Sequence, residues 1–233
     1  MRKLLILAIL AILCSCVSTG DSQEIELEDA IQNASSEINN APPAESNSQT
    51  IIIQPAASVA YKIGDTGPAG GLIFFDKGNN SGGWRYLEAA PVEAEVHAQW
   101  SVLGFSGTDV NNTQAGIGYG RRNTQLIIEK FRQTSGERDT AAQKADELVF
   151  KGFDDWFLPS QIELDQMYRN LRRSNLGNFG NEWYWSSTQT SSGKASAQNF
   201  SNGEIGNFPK ARNPNNGRAY DFFVRSIRQV PGA

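Results

Sequence analysis

The 233 residues hold 21 Lys and Arg against 25 Asp and Glu, a net charge of −4, with 39% hydrophobic residues, two cysteines and one histidine. That balance, with no stripe of basic residues, argues against a nucleic-acid partner. So few Cys and His leave no ligand set for zinc, and any Ser-His-Asp triad would have to be built on the single His97.

The chain opens with Met1-Arg2-Lys3 and an unbroken apolar run from Leu4 to Leu13. The run is too short to span a bilayer, which needs about 20 residues, and fits the h-region of a secretory signal. It ends at Leu13-Cys14-Ser15-Cys16. Cys16 has a branched apolar residue three positions before it and a small residue directly before it, so it resembles a lipobox cysteine. Cys14, preceded directly by the bulky Leu13, fits less well. An ordinary secretory signal with two incidental cysteines is the alternative. Cleavage before Cys16 leaves a mature chain with one alkylated thiol and no intramolecular disulfide. Several acyl chains would then hold the protein to a membrane, since one chain anchors only marginally. Val17, in the place where Asp signals inner-membrane retention, leans toward the outer membrane or the cell surface.

Residues Val17 to Ala60 contain no aromatic residue, seven acids and neither Lys nor Arg. Such a segment cannot bury enough surface to offset its ordering entropy, and it is expected as a disordered stalk with a root-mean-square span of roughly 35–40 Å. Leu27, Ile31, Ala34 and Ile38 follow the spacing of a short coiled-coil seam, which leaves transient helix as the alternative. From Tyr61 onward come all five Trp, six Tyr and twelve Phe, with eighteen acids facing nineteen basic residues. Residues 61–233 therefore read as one near-neutral domain with aromatic material for a core.

Within it, Leu72–Phe75 and Trp84–Ala89 flank the turn Lys77–Gly83 and predict a hairpin. Glu95–Val102 is a candidate third strand. Asn123 is placed to cap a helix with Ile127, Ile128 and Phe131 inward. Thr140 with Gln143 predicts a capping box for a second helix that buries Ala141, Ala145, Leu148 and Val149 and ends before Gly152. Ser160 with Glu163 predicts another, opening a helix with Leu164, Met167, Tyr168 and Leu171 as its buried stripe. Trp183–Ser187, Ala195–Phe200 and Glu204–Phe208 follow as strands, the last two joined by Asn202-Gly203, a two-residue turn signal. Tyr220–Arg228 closes the chain as one strand, expected to return beside the first. Central helices between short, mostly antiparallel strands make the fold class α+β.

Five strings occur in order: GDTGPAGGLIFFD (Gly64–Asp76), GWRYLEAAP (Gly83–Pro91), DWFLPS with the following Glu163-Leu164, YWSST (Tyr184–Thr188) and YDFFVRSIR (Tyr220–Arg228). Together they resemble the family of exported bacterial domains that includes the C-terminal domain of the Legionella collagen-like protein. The resemblance spans the whole domain. It implies a fold similar to C-type lectins and formylglycine-generating enzymes, in which a Leu-Pro-Ser/Thr-x-x-Glu segment opens a helix. It also implies a surface ligand-binder, with adhesins for sulphated sugars among the relatives, hence binding rather than catalysis. The cysteine or copper chemistry of the formylglycine-generating relatives does not carry over to a domain without cysteine.

The glycine triplets at Gly64, Gly67 and Gly70 are too few for a collagen helix and read as a turn. No phosphate-loop Lys follows them. Asn213-Pro214-Asn215 with Asp221 echoes the calcium-holding tripeptide of sugar-binding lectins but lacks its first carboxylate and the later Trp-Asn-Asp. No metal or cofactor is expected, and calcium dependence stays open. The acid pairs Glu93/Glu95 and Asp154/Asp155 read as rim and turn residues.

Basic residues are the best clue to a site. Arg121 and Arg122 precede one helix; Arg169, Arg172 and Arg173 end another, with Lys130 and Arg132 nearby. Guanidinium groups hold sulfate and carboxylate bidentately, so convergence would make a polyanion site. Against this, Asp165 can pair with Arg169 at i,i+4, and cations at a helix C-terminus suit the macrodipole. Trp183 and Trp185, with Tyr184 between them, could stack on a sugar ring or form half of a core. The resulting expectation is a lipid-anchored envelope protein that binds a host or matrix glycan, with Arg121, Arg122, Arg169, Arg172, Arg173, Trp183 and Trp185 as candidate ligand contacts. The alternative is a structural envelope lipoprotein that contacts other proteins. Oligomeric state is open.

Overall fold

The computed structural model describes residues 60–101, 107–134, 139–211 and 220–232, all within the unit Gln54–Ala233. The expected lipidation at Cys16, the expected stalk before Ala60 and the Asn213-Pro214-Asn215 tripeptide all fall outside the described residues.

The expected first hairpin is present: β1 (Leu72–Asp76) runs antiparallel to β2 (Tyr86–Ala89), with a bulge between Ile73 and Phe75. The third strand is shorter than its sequence suggests. Val92–Ala94 form a 3-10 turn, so β3 covers only Val96–Ala98.

Helix α1 (Gly120–Thr134) begins three residues before the expected cap. Asn123 is not a cap. Its backbone amide already donates to Tyr119 O, and its side chain is buried, closing the preceding loop through Gln114 N, Gln114 O and Ser187 Oγ. Ile127, Ile128 and Phe131 face inward as expected.

Helix α2 (Ala141–Asp146) has the Thr140–Gln143 capping box, and α3 (Gln161–Asn170) has the Ser160–Glu163 box. The α2 apolar stripe ends early, because the helix stops at Asp146; Leu148 and Val149 fall in the turn beyond it, where Val149 is 68% exposed. In α3 and its cap, Leu164, Met167 and Leu171 are fully buried and Tyr168 partly so.

β4 (Trp183–Ser191), β5 (Lys194–Asn199) and β6 (Ile205–Pro209) form the antiparallel meander expected after the helices. Their second connection is longer than a two-residue turn. Asn199 N donates to Glu204 O and Gly203 N to Asn199 O, leaving Phe200–Gly203 as a four-residue loop. Phe200 drives this, since its ring turns into the core and is wholly buried.

The closing strand divides in two. β7 (Phe222–Val224) lies between β3 and β4, and β8 (Ile227–Val230) pairs with β2. The last strand therefore lies beside the second, not the first. Arg225 and Ser226 carry the chain from one sheet to the other.

The outcome is an α+β fold with eight strands and three α-helices among the described residues. Its five-stranded sheet has the order β3-β7-β4-β5-β6 and its three-stranded sheet β1-β2-β8. One face of the larger sheet, with Trp185, Ala195, Ala197 and Val224, packs on α1 and α2. Its other face, with Tyr184 and Phe223, packs with Phe200 on α3 and on Phe74, Leu87 and Ile227 of the smaller sheet. A sheet covered on both sides has apolar side chains in consecutive strand positions, and this makes β4 the centre of the molecule.

Candidate functional site

The five arginines split into two groups. Arg121 lies in the first turn of α1, where its Nη2 donates to Asp155 O at 2.9 Å and its guanidinium covers the Phe157 ring at 5.0 Å. Arg122, next to it, is exposed. The start of α1 abuts the start of α3: a Cβ at Gly120 would stand 2.3 Å from Glu163 Oε2. Arg169, Arg172 and Arg173 belong to the far end of α3. At 1.5 Å per residue they lie about 15 Å further along its axis. The basic residues thus do not converge on one face. Lys130 lines a separate hollow on α1 with Asp109 and Glu129, and Arg132 is exposed.

The second group is itself divided. Arg172 turns onto the fold, donating through Nε to Phe200 O at 2.9 Å and through Nη2 to Asn181. Arg169 and Arg173 remain at the surface and line a shared hollow of about 320 Å³ with Asp165, Tyr168, Asn202 and Gly203. Arg169 makes the i,i+4 pair foreseen from sequence, Nε to Asp165 Oδ2 at 2.6 Å, yet its side chain stays 61% exposed. Among the described residues only Nε is committed, which leaves its terminal nitrogens available to a ligand.

The opposite wall of this hollow is the β5–β6 loop. Gly203, at φ +83°, stacks against Tyr168, and a Cβ there would stand 2.5 Å from the ring. Beneath the wall Gln198 is buried, its Nε2 donating to Asp165 Oδ1 at 3.0 Å and to Gly203 O at 3.2 Å. Its Oε1 is buried without a hydrogen-bond partner among the described residues. Tyr168, Asn202, Gly203 and Gln198 were not singled out for a site in the sequence. The Asn-Gly pair marked a turn and Tyr168 a buried stripe, and their meeting depends on how α3 lies across β5.

The tryptophan candidates fare differently. Trp185 is fully buried, with Nε1 donating to Ala98 O at 3.0 Å, so it cannot stack on a ligand. Tyr184 is also buried; its hydroxyl donates to Glu95 Oε2 at 3.0 Å and accepts from Gly180 N. Trp183, one pleat away from Trp185, is half-buried at the sheet's rim against Phe208 at 4.5 Å. Alternation misleads here because β4 is central and both its faces are covered.

Titratable groups elsewhere have mainly structural surroundings. His97 sits on β3 with its ring 3.9 Å from Phe223, and Asp221 O lies 3.4 Å from Nδ1. Each acid pair separates into one inner and one outer member: Glu95 binds Arg225 and Asp155 binds Arg228, whereas Glu93 and Asp154 are exposed. Glu163 is wholly buried at the two helix starts, accepting from Gly118 N and Ser160 N at 2.7 Å each. Burial pushes its carboxyl up to about 7, against the pull of those amides and of Gly120 N. Lys210 is buried at the end of β6, donating to Thr108 O and Ser192 O at 2.8 Å and to Gln189. Desolvation brings it down to about 8. Among the described residues, no group of three or more His, Cys, Asp or Glu could hold a metal ion.

Compared with known proteins, the chain matches no protein-family model and no curated protein.

Proposed function

We propose that this chain is a lipid-anchored cell-envelope protein whose lectin-like domain binds an anionic extracellular glycan, acting by binding alone. The signal-like N-terminus with Cys16 supports the anchoring, and Val17 after it supports an outer-membrane or surface address. The observation that carries the ligand class is the hollow shared by Arg169 and Arg173. Two guanidinium groups supply planar, bidentate donors suited to sulfate or carboxylate. The Tyr168 ring and the Asn202 amide add an apolar surface and a polar contact of the kind a sugar unit offers. The volume of about 320 Å³ is at the lower end for ligand sites and suits one or two sugar units rather than a long chain.

The test is retention of the mature protein on immobilised heparin under a salt gradient. Retention at low salt, shortened by the double change Arg169→Ala with Arg173→Ala and preserved in the exposed-site control Arg122→Ala, is the expected result. No retention of the unaltered protein removes the anionic-glycan reading. Equal loss in the double variant and the control removes this hollow as the site.

A further inference from the structure

A different cleft, of about 200 Å³, is walled on one side by Gly70, Gly71 and the run Ala89–Glu93, and on the other by Gly177–Phe179. Three of the five sequence strings meet there. Arg225 braces it. Its Nη1 donates to Ala90 O at 3.1 Å on one wall and to Gly177 O at 3.0 Å on the other. The rest of the guanidinium binds Glu95, which neutralises it, and lies 4.2 Å from the Phe179 ring centre. The width of the cleft is therefore fixed before any ligand arrives, which lowers the ordering penalty of binding.

The backbone around it is unusual. Gly177 has φ +83° and Asn178, without a glycine's freedom, φ +49°. A Cβ at Gly71 would stand 2.0 Å from Ala89 O, so only glycine lets the two strands of that wall approach so closely.

The floor is apolar, made by Leu72, Ala89, Leu171 and Phe179, and the mouth is charged. Glu93 lines it and is exposed. The Lys151 ammonium lies over the rim at Gly70, where a Cβ would stand 2.3 Å from Nζ. Among the described residues neither Glu93 nor Lys151 forms an ion pair. An apolar floor below one free carboxylate and one free ammonium complements a molecule with an aliphatic body and both charges.

We propose that this cleft binds a single free amino acid with an aliphatic side chain, its ammonium at Glu93, its carboxylate at Lys151 and its side chain on the Leu72–Phe179 floor. The volume of about 200 Å³ admits a leucine-sized molecule. This site is separate from the arginine hollow and stands or falls without it.

The test is a nitrogen-15 correlation NMR titration of the mature protein with L-leucine. Shifts at the Gly70, Gly71, Ala90 and Gly177 amides, saturating at millimolar leucine, are expected. Isopentylamine lacks the carboxylate and 4-methylpentanoate the ammonium, and each should bind at least about tenfold more weakly. Glu93→Gln and Lys151→Met, both at exposed positions, should each weaken leucine by about tenfold. Absence of shifts at those four amides overturns the proposal, as does equal binding of the two singly charged analogues. Tighter binding of leucyl-leucine than of leucine overturns the free amino acid as the ligand.

Discussion

Glu88 and Arg228 stand opposite each other across the β2–β8 ladder, with Arg228 Nη1 3.2 Å from Glu88 Oε2 and both side chains buried. The loop Gly67–Gly71 closes over this carboxylate: Ala69 N and Gly71 N donate to Glu88 Oε1 at 3.1 and 2.8 Å. The collagen-like glycine spacing is thus a wrapping for an internal anion. Arg228 reaches Asp155 on its other side, at 2.7 Å.

Removing Glu88 leaves the buried Ala69 and Gly71 amides without their acceptor, while Arg228 keeps Asp155. Glu88→Ala should therefore destabilise the domain by about 2–4 kcal/mol, since each orphaned donor costs about 1–3 kcal/mol. Gly67→Ala, whose Cβ would stand 2.4 Å from Glu88 Cδ, should cost about 1–3 kcal/mol through overpacking. Urea unfolding followed by Trp fluorescence measures both; a change below the error of the method at Glu88 would contradict the network.

Glu163 gives the domain a pH dependence. Its folded-state value is raised from 4.5 to about 7, so the folded state holds this proton more tightly than the unfolded chain does. Its contribution is complete below pH 4.5 and is lost as pH rises through about 7. Comparing the protein with Glu163→Gln should isolate a decline of up to about 3 kcal/mol between pH 4.5 and 7.5. Parallel stability curves for the two proteins would refute it.

Lys210 acts at the alkaline end. Its value is lowered from 10.5 to about 8, so the folded state releases this proton first. Between those two values the unfolded chain holds more protons, and stability from this group rises with pH. The difference curve against Lys210→Met should climb between pH 8 and 10 in urea titrations; a flat or falling curve contradicts the assignment.

Trp183 and Trp185 should separate in any stability measurement. Trp185→Ala empties a fully buried site and orphans Ala98 O, for a loss of about 3–5 kcal/mol. Trp183→Ala, at the half-buried rim, should lose roughly 1–2 kcal/mol. Equal losses would mean that the rim and the centre of this one face of β4 are buried alike.

Ser160 tests the helix start. Its hydroxyl accepts from Glu163 N and donates to Gly116 O at 2.7 Å, so Ser160→Ala removes a cap and a loop contact together. A loss of about 1–2 kcal/mol in thermal or urea unfolding is expected, and Ser160→Thr should recover most of it. Failure of threonine to recover it would assign the effect to packing instead of capping.

Local chemistry explains which features were readable. The two capping boxes, the first hairpin and the inward face of α1 depend on residues close in sequence, and each occurs where its pattern lies. Asn123 precedes an apolar run as a cap does, but a cap's amide does not donate to the carbonyl four residues back, and Asn123 N donates to Tyr119 O. For the candidate site, the composition pointed to arginine and the Asp165–Arg169 spacing to one ion pair. No local signal indicated that Arg172 would turn onto Phe200 O while Arg173 stayed at the surface.

The sequence by itself determined the α+β class, the order of most elements and the starts of α2 and α3, because hydrophobic period and capping act over a few residues. Tertiary structure decided what those elements share: the splitting of the final strand between two sheets, the burial of Trp185 and the separation of five arginines into two groups. The physical reason is that a strand's partners and a side chain's exposure depend on what covers each face. That cover comes from residues distant in the chain, as α3, β4 and β8 converge on a common core.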